Sequence, residues 1–459
     1  MVEVLEADYL VVGAGAAGMA FTDALIDHSD AKVVLVDRRN GAGGHWLDAY
    51  PFVRLHQASA FYGVASTLLG GGRLQSDGPE VGLHERATAP EICAYYARIL
   101  HERMVSPGRV SFHPNCDYVG GNEFVSRVSG KRYVVQGNPR LVDAHYLAPE
   151  IPATTKPTFG IGEGANVVPV NDLVKVESAP SQYVVVGSGK TATDACIWLL
   201  ENGVDPDAIC WVRPRDPWMA NRALVQPNKA VFMGMVAATF EAAAGATSPD
   251  DLFLRLEEAG VMLRIDRGVT PTMAKQPTLA EWELHKLRSI ENVVRLGHIK
   301  HVAPGSLKLA DGEVSVARDA LVVHCSAAGL QYRPLLPIWG EETITVQPVR
   351  AGFPCFGAAL AGFVEATIDS DAEKNRLCPP SPYPNTPTDY GAMQVLGGRA
   401  AASFASNPDI KDWANRVAIN PAAIDPEAPV SDELAAALER VRTFAGPGMA
   451  RMAEMAGLS

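Results

Sequence analysis

Two glycine clusters are the residues of this 459-residue chain best suited to chemistry, and both directly follow a short β-branched run and precede a helical one. The first reads Gly13-Ala14-Gly15-Ala16-Ala17-Gly18. In a Gly-x-Gly-x-x-Gly turn the first glycine permits the bend and the second lets backbone approach a pyrophosphate. The third lets the helix pack closely on the strand, which aims the helix N-terminus at the phosphates. Asp37, with Arg38 beside it, stands 19 residues beyond Gly18 at the end of the strand Lys32-Val33-Val34-Leu35-Val36. A carboxylate there can accept hydrogen bonds from a ribose diol, so Gly13, Gly15, Ala16, Ala17, Gly18, Asp37 and Arg38 form a candidate dinucleotide site.

The second cluster, Gly187-Ser188-Gly189-Lys190-Thr191-Ala192, invites a different reading as the end of an ATP-binding P-loop. That loop needs a glycine five positions before its Gly-Lys-Thr glycine, and Val184 occupies the position, inside the strand. As Gly187-x-Gly189-x-x-Ala192 the residues fit a second dinucleotide fold, with Lys190 and Thr191 at the helix N-terminus. The following strand ends in Arg213-Pro214-Arg215 in place of an acid. Guanidinium groups bind a 2′-phosphate that a carboxylate would repel, so Arg213 and Arg215, with Arg222 as a weaker third, predict NADPH over NADH.

Apolar strands alternating with helices on both sides of these turns indicate parallel sheets buried on both faces. The predicted fold class is α/β, with two Rossmann-like dinucleotide-binding domains. Between them, Arg109 to Leu147 reads as a small antiparallel β-meander, broken at Gly120-Gly121-Asn122 and Ser129-Gly130. Helices are expected within residues 225–290, from Ala392 to Phe404, and from Leu434 to Phe444, the last capped by Ser431 and ended by Gly446-Pro447. His324, in an apolar strand, reads as a core residue.

Composition narrows the partners. Forty basic residues against 52 acidic ones give a net charge of −12, which disfavours nucleic acid or an anionic membrane. No uncharged apolar stretch reaches the ~20 residues that span a bilayer; Ala230 to Phe240, for one, is 11. The start, Met1 to Asp8, lacks the basic and apolar regions of a secretory signal, so a cytoplasmic location is expected. Seven scattered cysteines contain no Cys-x-x-Cys, which disfavours a disulfide framework or a dithiol redox centre, and no ligand spacing suggests a metal.

Downstream of the first unit, Gly41-Ala42-Gly43-Gly44-His45-Trp46 and then Tyr50-Pro51-Phe52-Val53-Arg54-Leu55-His56-Gln57 resemble the flavin-containing monooxygenases and their Baeyer–Villiger relatives, in which a Gly-Gly-x-Trp segment lies along FAD. The resemblance implies that FAD occupies the first site and that Gly43, Gly44, His45 and Trp46, and less firmly His56 and Gln57, contact it. It implies an NADPH domain, residues 171–318, inserted into an FAD domain made of residues 1–170 and 319–459, with the FAD part resuming at Asp319 to Gly329. It also implies an oxidoreductase in which NADPH reduces the flavin, oxygen forms a C4a-(hydro)peroxyflavin, and one oxygen atom passes to a small organic substrate. The alternative is an NAD(P)H-dependent flavin reductase or dehydrogenase without oxygen transfer.

The chain departs from its relatives where their Phe-x-Gly-x-x-x-His signature belongs. It reads Phe159-Gly160-Ile161-Gly162-Glu163-Gly164-Ala165-Asn166 there, and the usual Ala-Thr-Gly strand ends become Leu147-Ala148-Pro149 and Ser326-Ala327-Ala328-Gly329. These changes mark a divergent branch. Pro354 to Thr367 carries small residues that suit a flat ring or another helix, and Asn375 to Pro380 is a candidate substrate wall. The catalytic side chains, the substrate and the oligomeric state, a homodimer included, stay open.

Overall fold

The computed structural model describes residues 2–327, 329, 331–350, 352–424 and 427–458. Its frame is two five-stranded, all-parallel sheets. The first runs, in spatial order, Thr343–Thr345, Arg140–Asp143, Tyr9–Val12, Val33–Val36 and Val110–His113. The second runs Asn166–Pro169, Leu321–His324, Tyr183–Val186, Ile209–Val212 and Val293–Val294. Val33–Val36 of the first sheet and Leu321–His324, Tyr183–Val186 and Ile209–Val212 of the second are buried along their whole length, as continuous β-branched runs require when both faces are covered.

The strand Leu321–His324 corrects the expected boundaries. It lies between Asn166–Pro169 and Tyr183–Val186, inside the second sheet. The second unit therefore begins at the strand Gly160–Ile161, which pairs with Ile299–Ala303, and extends through His324. The first sheet resumes only at Thr343–Thr345. A short apolar strand carries no mark of which sheet it joins, so residues 319–324 were open to either placement. Of the altered strand end, Ala328 lies outside the described residues. The meander is Cys116–Gly120, Glu123–Ser126 and Arg132–Gln136, joined in parallel by Val2–Glu6. Val110–His113 and Arg140–Asp143, read with it from sequence, belong to the first sheet.

The helix Pro354–Thr367 packs on another helix, Ala16–Asp27. A Cβ on Gly362 would stand 2.2 Å from the Phe21 carbonyl oxygen, so only glycine allows the approach. Beneath it the buried Glu365 accepts from Tyr9 Oη (2.8 Å) and Trp339 Nε1 (2.8 Å) and pairs with Lys374 at 2.5 Å. The stretch expected to wall the substrate is part of this clamp. Asn375 brackets the Trp339 backbone (2.7 and 3.1 Å), Leu377 and Cys378 are buried, and Arg376 pairs with Glu373 at the surface.

Residues 225–290 contain helices Lys229–Ala244, Pro249–Glu258 and Glu281–Leu287 with short strands between them. The helix Pro387–Ala405 begins five residues earlier than expected. Ser431 Oγ does cap the final helix, accepting from Leu434 N at 3.2 Å. Gly446-Pro447 does not end it. The helix runs Asp432–Met455, because its packing along Lys229–Ala244 outweighs the hydrogen bond that Pro447 removes.

Candidate functional site

The first glycine turn has the geometry its spacing predicts. Gly13 has φ +106° and donates to Val36 O at 2.8 Å, and a Cβ on Gly18 would fall 1.8 Å from the Gly13 oxygen. Ala16 and Ala17 are half-buried in the first turn of the helix. Asp37 lies buried under the turn, where its two oxygens accept from Ala14 N (2.6 Å) and Arg39 N (2.8 Å). Arg38 stands at the exposed rim, 3.9 Å from Asp117.

The Gly43–Gly44 segment lies directly against this turn. Gly43 N donates to Ala14 O at 2.9 Å, and a Cβ on Gly44 would be 2.9 Å from Gly15 Cα. The chain then makes a short helix, Gly44–Asp48, whose buried Trp46 donates from Nε1 to Tyr62 Oη at 2.6 Å. Burial and the neighbouring Arg39 push the His45 imidazole down to about 4. Burial, then Lys190 and Arg222, push His56 down to about 3, so both rings are neutral at physiological pH. Gln57 is occupied locally, its Nε2 reaching Phe61 O at 3.4 Å.

At the second turn Gly187 has φ +138° and donates to Val212 O at 3.0 Å. Gly189 precedes the helix Lys190–Glu201, with open space where a Cβ would stand. Ser188 and Ala192 are buried and Thr191 is half-buried. Of the two arginines predicted to meet a 2′-phosphate, Arg215 is exposed and Arg213 is buried. Arg215 Nη2 lies 3.8 Å from Met273 Sδ. Arg213 is buried, 4.5 Å from the Trp211 ring centroid and 3.2 Å from Asp216, while Trp211 Nε1 donates to Gly187 O at 2.8 Å. The Arg213 Nε and Nη1 atoms are enclosed without a hydrogen-bond partner. Orphaned guanidinium donors beside a glycine turn suit an anion.

Lys190 and Arg222 correct the sequence reading most. Neither is placed to meet a phosphate. Lys190 is buried between Asp194, a short contact, and Glu283 Oε1 at 3.2 Å. Arg222 is fully buried, bridging Glu283 Oε2 at 2.7 Å and Glu80. Glu80 also pairs with Arg86 at 3.0 Å and accepts from Trp282 Nε1 at 3.1 Å, and Asp194 accepts from Tyr50 Oη at 2.7 Å. Burial pushes the Glu283 carboxyl up, but Lys190 and Arg222 outweigh it and hold it at about 2. Arg222 Nε also donates to His56 O at 3.0 Å.

This network joins the loop after the first turn to the helix after the second. Beside it Phe52 stacks on Trp198 with centroids 5.3 Å apart. No spacing rule finds it, because Glu80, Lys190, Arg222 and Glu283 stand far apart in the sequence.

A family model described as an NAD(P)-binding Rossmann-like domain matches residues 11–62. An uncharacterized protein of Mycobacterium tuberculosis is 42% identical over 419 residues, covering 91% of this chain and 78% of its own length, and one of Mycobacterium bovis matches to the same extent. Among solved structures, the polycyclic ketone monooxygenase from the thermophilic fungus Thermothelomyces thermophila superposes with a TM-score of 0.51 at 13% identity, covering 96% of this chain and 88% of that one.

Proposed function

This chain belongs to one family with the uncharacterized mycobacterial proteins and has the fold of the flavin monooxygenases, and on that premise we propose that it is an FAD-containing, NADPH-consuming oxidoreductase of the monooxygenase type. One observation carries the reading. Two glycine turns, each on its own parallel sheet, are joined by direct contacts between the loop after the first and the helix after the second, Tyr50 to Asp194 and Phe52 to Trp198. Two dinucleotides held on those turns would share one junction.

The residues fit the groups. Gly13, Gly15 and Gly18 make a close-packed turn at the N-terminus of Ala16–Asp27, with Gly44 packed against Gly15, and this backbone turn would take the FAD diphosphate. Asp37 stands under the turn for the ribose. Gly187, Gly189 and Thr191 would hold the NADPH diphosphate, and the unpartnered donors of Arg213, with Arg215 at the rim, would receive the 2′-phosphate. The chemistry supplied by the bound pair is hydride transfer from nicotinamide to flavin and then reduction of oxygen, one atom of which goes to a small organic substrate.

The chain's own contribution is to orient and to exclude water. The buried rings of Trp46 and Tyr62, with Phe61 next to Tyr62, shield the segment assigned to the flavin, and the neutral His45 and His56 add hydrogen-bonding groups without charge. Burial raises Tyr62 and Tyr96 above the usual phenol range, so both stay protonated. Against dithiol chemistry, burial pushes all seven thiols above their usual value, where a nucleophilic thiolate is scarce.

The test begins with the visible spectrum of the purified protein and chromatography of its released cofactor, followed by anaerobic addition of NADPH or NADH and then oxygen. FAD release, preferential bleaching by NADPH and oxygen-dependent return of the oxidised spectrum are expected. A protein that neither carries nor binds flavin sinks the proposal. Fast electron transfer to an artificial acceptor with no oxygen uptake, with or without substrates, would make it a reductase.

A further inference from the structure

Two cations beside the Phe61 segment have no acid to answer them. Arg350 lies just beyond the last strand of the first sheet, where Val346 N still donates to Asp143 O at 3.0 Å, so it leaves the carboxyl end of that sheet. Ligands of parallel sheets bind at that end. Its guanidinium stands 5.5 Å from the Phe356 ring centroid and 5.6 Å from that of Phe404, and its Nε is enclosed with no hydrogen-bond partner. Burial pushes the group down to about 10. Lys229 opens the helix Lys229–Ala244 and is half-buried, and burial and then the Arg350 guanidinium push its ammonium down. Among the described residues no carboxylate pairs with either.

Aromatic rings complete the place. Phe232 lies three residues after Lys229 on the same helix, and Phe353 three residues after Arg350. Their rings meet at 5.9 Å, and each meets Phe61, at 6.0 and 5.5 Å respectively. Phe61 precedes Tyr62, the partner of Trp46, so the cluster adjoins the segment assigned to the flavin. Two half-buried cations without counter-charge are desolvated and repel each other, a cost that a bound anion removes. The diphosphates already have the two glycine turns and their helix N-termini, so the missing anion belongs to a third molecule.

We propose that Arg350 and Lys229 form the anion-binding end of the substrate pocket and that the substrate is an organic acid, its carboxylate held by both cations and its apolar body covered by Phe61, Phe232 and Phe353. The assignment rests on the oxidoreductase reading above. A guanidinium fork matches the two oxygens of a carboxylate, and a lysine adds a point charge from the side.

Isothermal titration calorimetry of the purified protein, its flavin content fixed beforehand from absorbance, tests this with 4-oxo-4-phenylbutanoate, its methyl ester and inorganic phosphate. The acid is expected to bind, more weakly as salt rises, and the ester to bind about tenfold or more weakly, the worth of one charge-assisted contact. Arg350→Met keeps the stem between Phe356 and Phe404 and should weaken the acid about tenfold to a hundredfold without changing the ester. Lys229→Met, at a helix start, should act in the same direction if Arg350→Met fails to fold, and Arg350→Lys should restore part of the loss.

Equal affinity for acid and ester, or acid binding unmoved in both methionine variants, overturns the proposal. So does phosphate binding as tightly as the acid, because an apolar body would then contribute nothing. A flavin-free protein that still binds the acid through Arg350 would sink the flavin reading and leave the anion site standing.

Discussion

Gly189→Ala separates folding from binding at the second glycine turn. Gly189 has φ −83°, which any residue adopts, and no atom lies within 4 Å of the place its Cβ would take. Alanine gains about 0.4–1 kcal/mol from a less flexible unfolded chain and gives back a similar amount as a poorer N-cap, so the fold should be unchanged to within about 1 kcal/mol. The same methyl would stand where a diphosphate must approach the helix N-terminus. Loss of two charge-assisted N–H bonds at about 1.5 kcal/mol each amounts to about 3 kcal/mol, or about a hundredfold in NADPH affinity. Gly187→Ala is the contrast, because its φ of +138° and a Cβ 3.3 Å from the Cys325 carbonyl strain the fold itself, at about 1–3 kcal/mol. Calorimetric NADPH titration beside a thermal melt and a flavin assay reads both variants. Unchanged melting together with NADPH affinity within about twofold of wild type would refute the assignment of this turn to the nucleotide.

Three further outcomes follow from the packing. Arg222→Met strands the buried Glu80 and Glu283 without their shared cation and should cost about 3–5 kcal/mol in urea unfolding, and a loss under about 1 kcal/mol would mean that water reaches the network. Acid should destabilise the protein before its exposed carboxylates titrate. His56 takes up a proton near 6.5 when unfolded and only near 3 when folded, so the unfolded chain binds more protons between those values and stability is lost as pH falls through that window. Glu283, ordinarily 4.5 and held at about 2, adds a loss of the same sign lower down, and His56→Gln should flatten the change in urea midpoint between about pH 7 and about pH 5. Gly362→Ala would drive a methyl to 2.2 Å from the Phe21 oxygen, part the helices Ala16–Asp27 and Pro354–Thr367, and lower both melting temperature and retained flavin. A fully loaded, equally stable variant would contradict that contact.

What could be read from sequence was what chemistry confines to one strand, one turn and one helix. Gly13, Gly18 and Gly187 are each dictated by a local backbone demand, and the structure meets those demands where the spacing put them. Sheet membership is decided by partners instead. Leu321–His324 and Thr343–Thr345 are both short β-rich runs, yet one pairs with Tyr183–Val186 and the other with Arg140–Asp143. Charged residues were misjudged for the same reason. Lys190 and Arg222 look like phosphate ligands beside a glycine turn until Glu80 and Glu283 are brought against them. Arg213 keeps its place near the turn but is buried, because Trp211 beneath it and Asp216 beside it draw the guanidinium inward.

The network itself needs a reason beyond stability, since buried ion pairs are often no better than apolar packing of the same shape. Its three cations, Arg86, Lys190 and Arg222, balance three carboxylates, Glu80, Asp194 and Glu283, drawn from both units and from the strand-and-helix segment that the second unit carries between Ile209–Val212 and Val293–Val294. Such an arrangement is satisfied at one relative placement of the units and loses several partners at any other. Lys190 immediately follows Gly189, so whatever fixes that lysine also fixes the turn relative to the Tyr50–His56 loop. Arg222→Met combined with Glu283→Gln leaves less unpaired charge than Arg222→Met alone and should recover part of the stability. It should not recover the rate at which NADPH bleaches the flavin, because the placement is still unspecified. Full recovery of both in the double variant would reduce the network to packing.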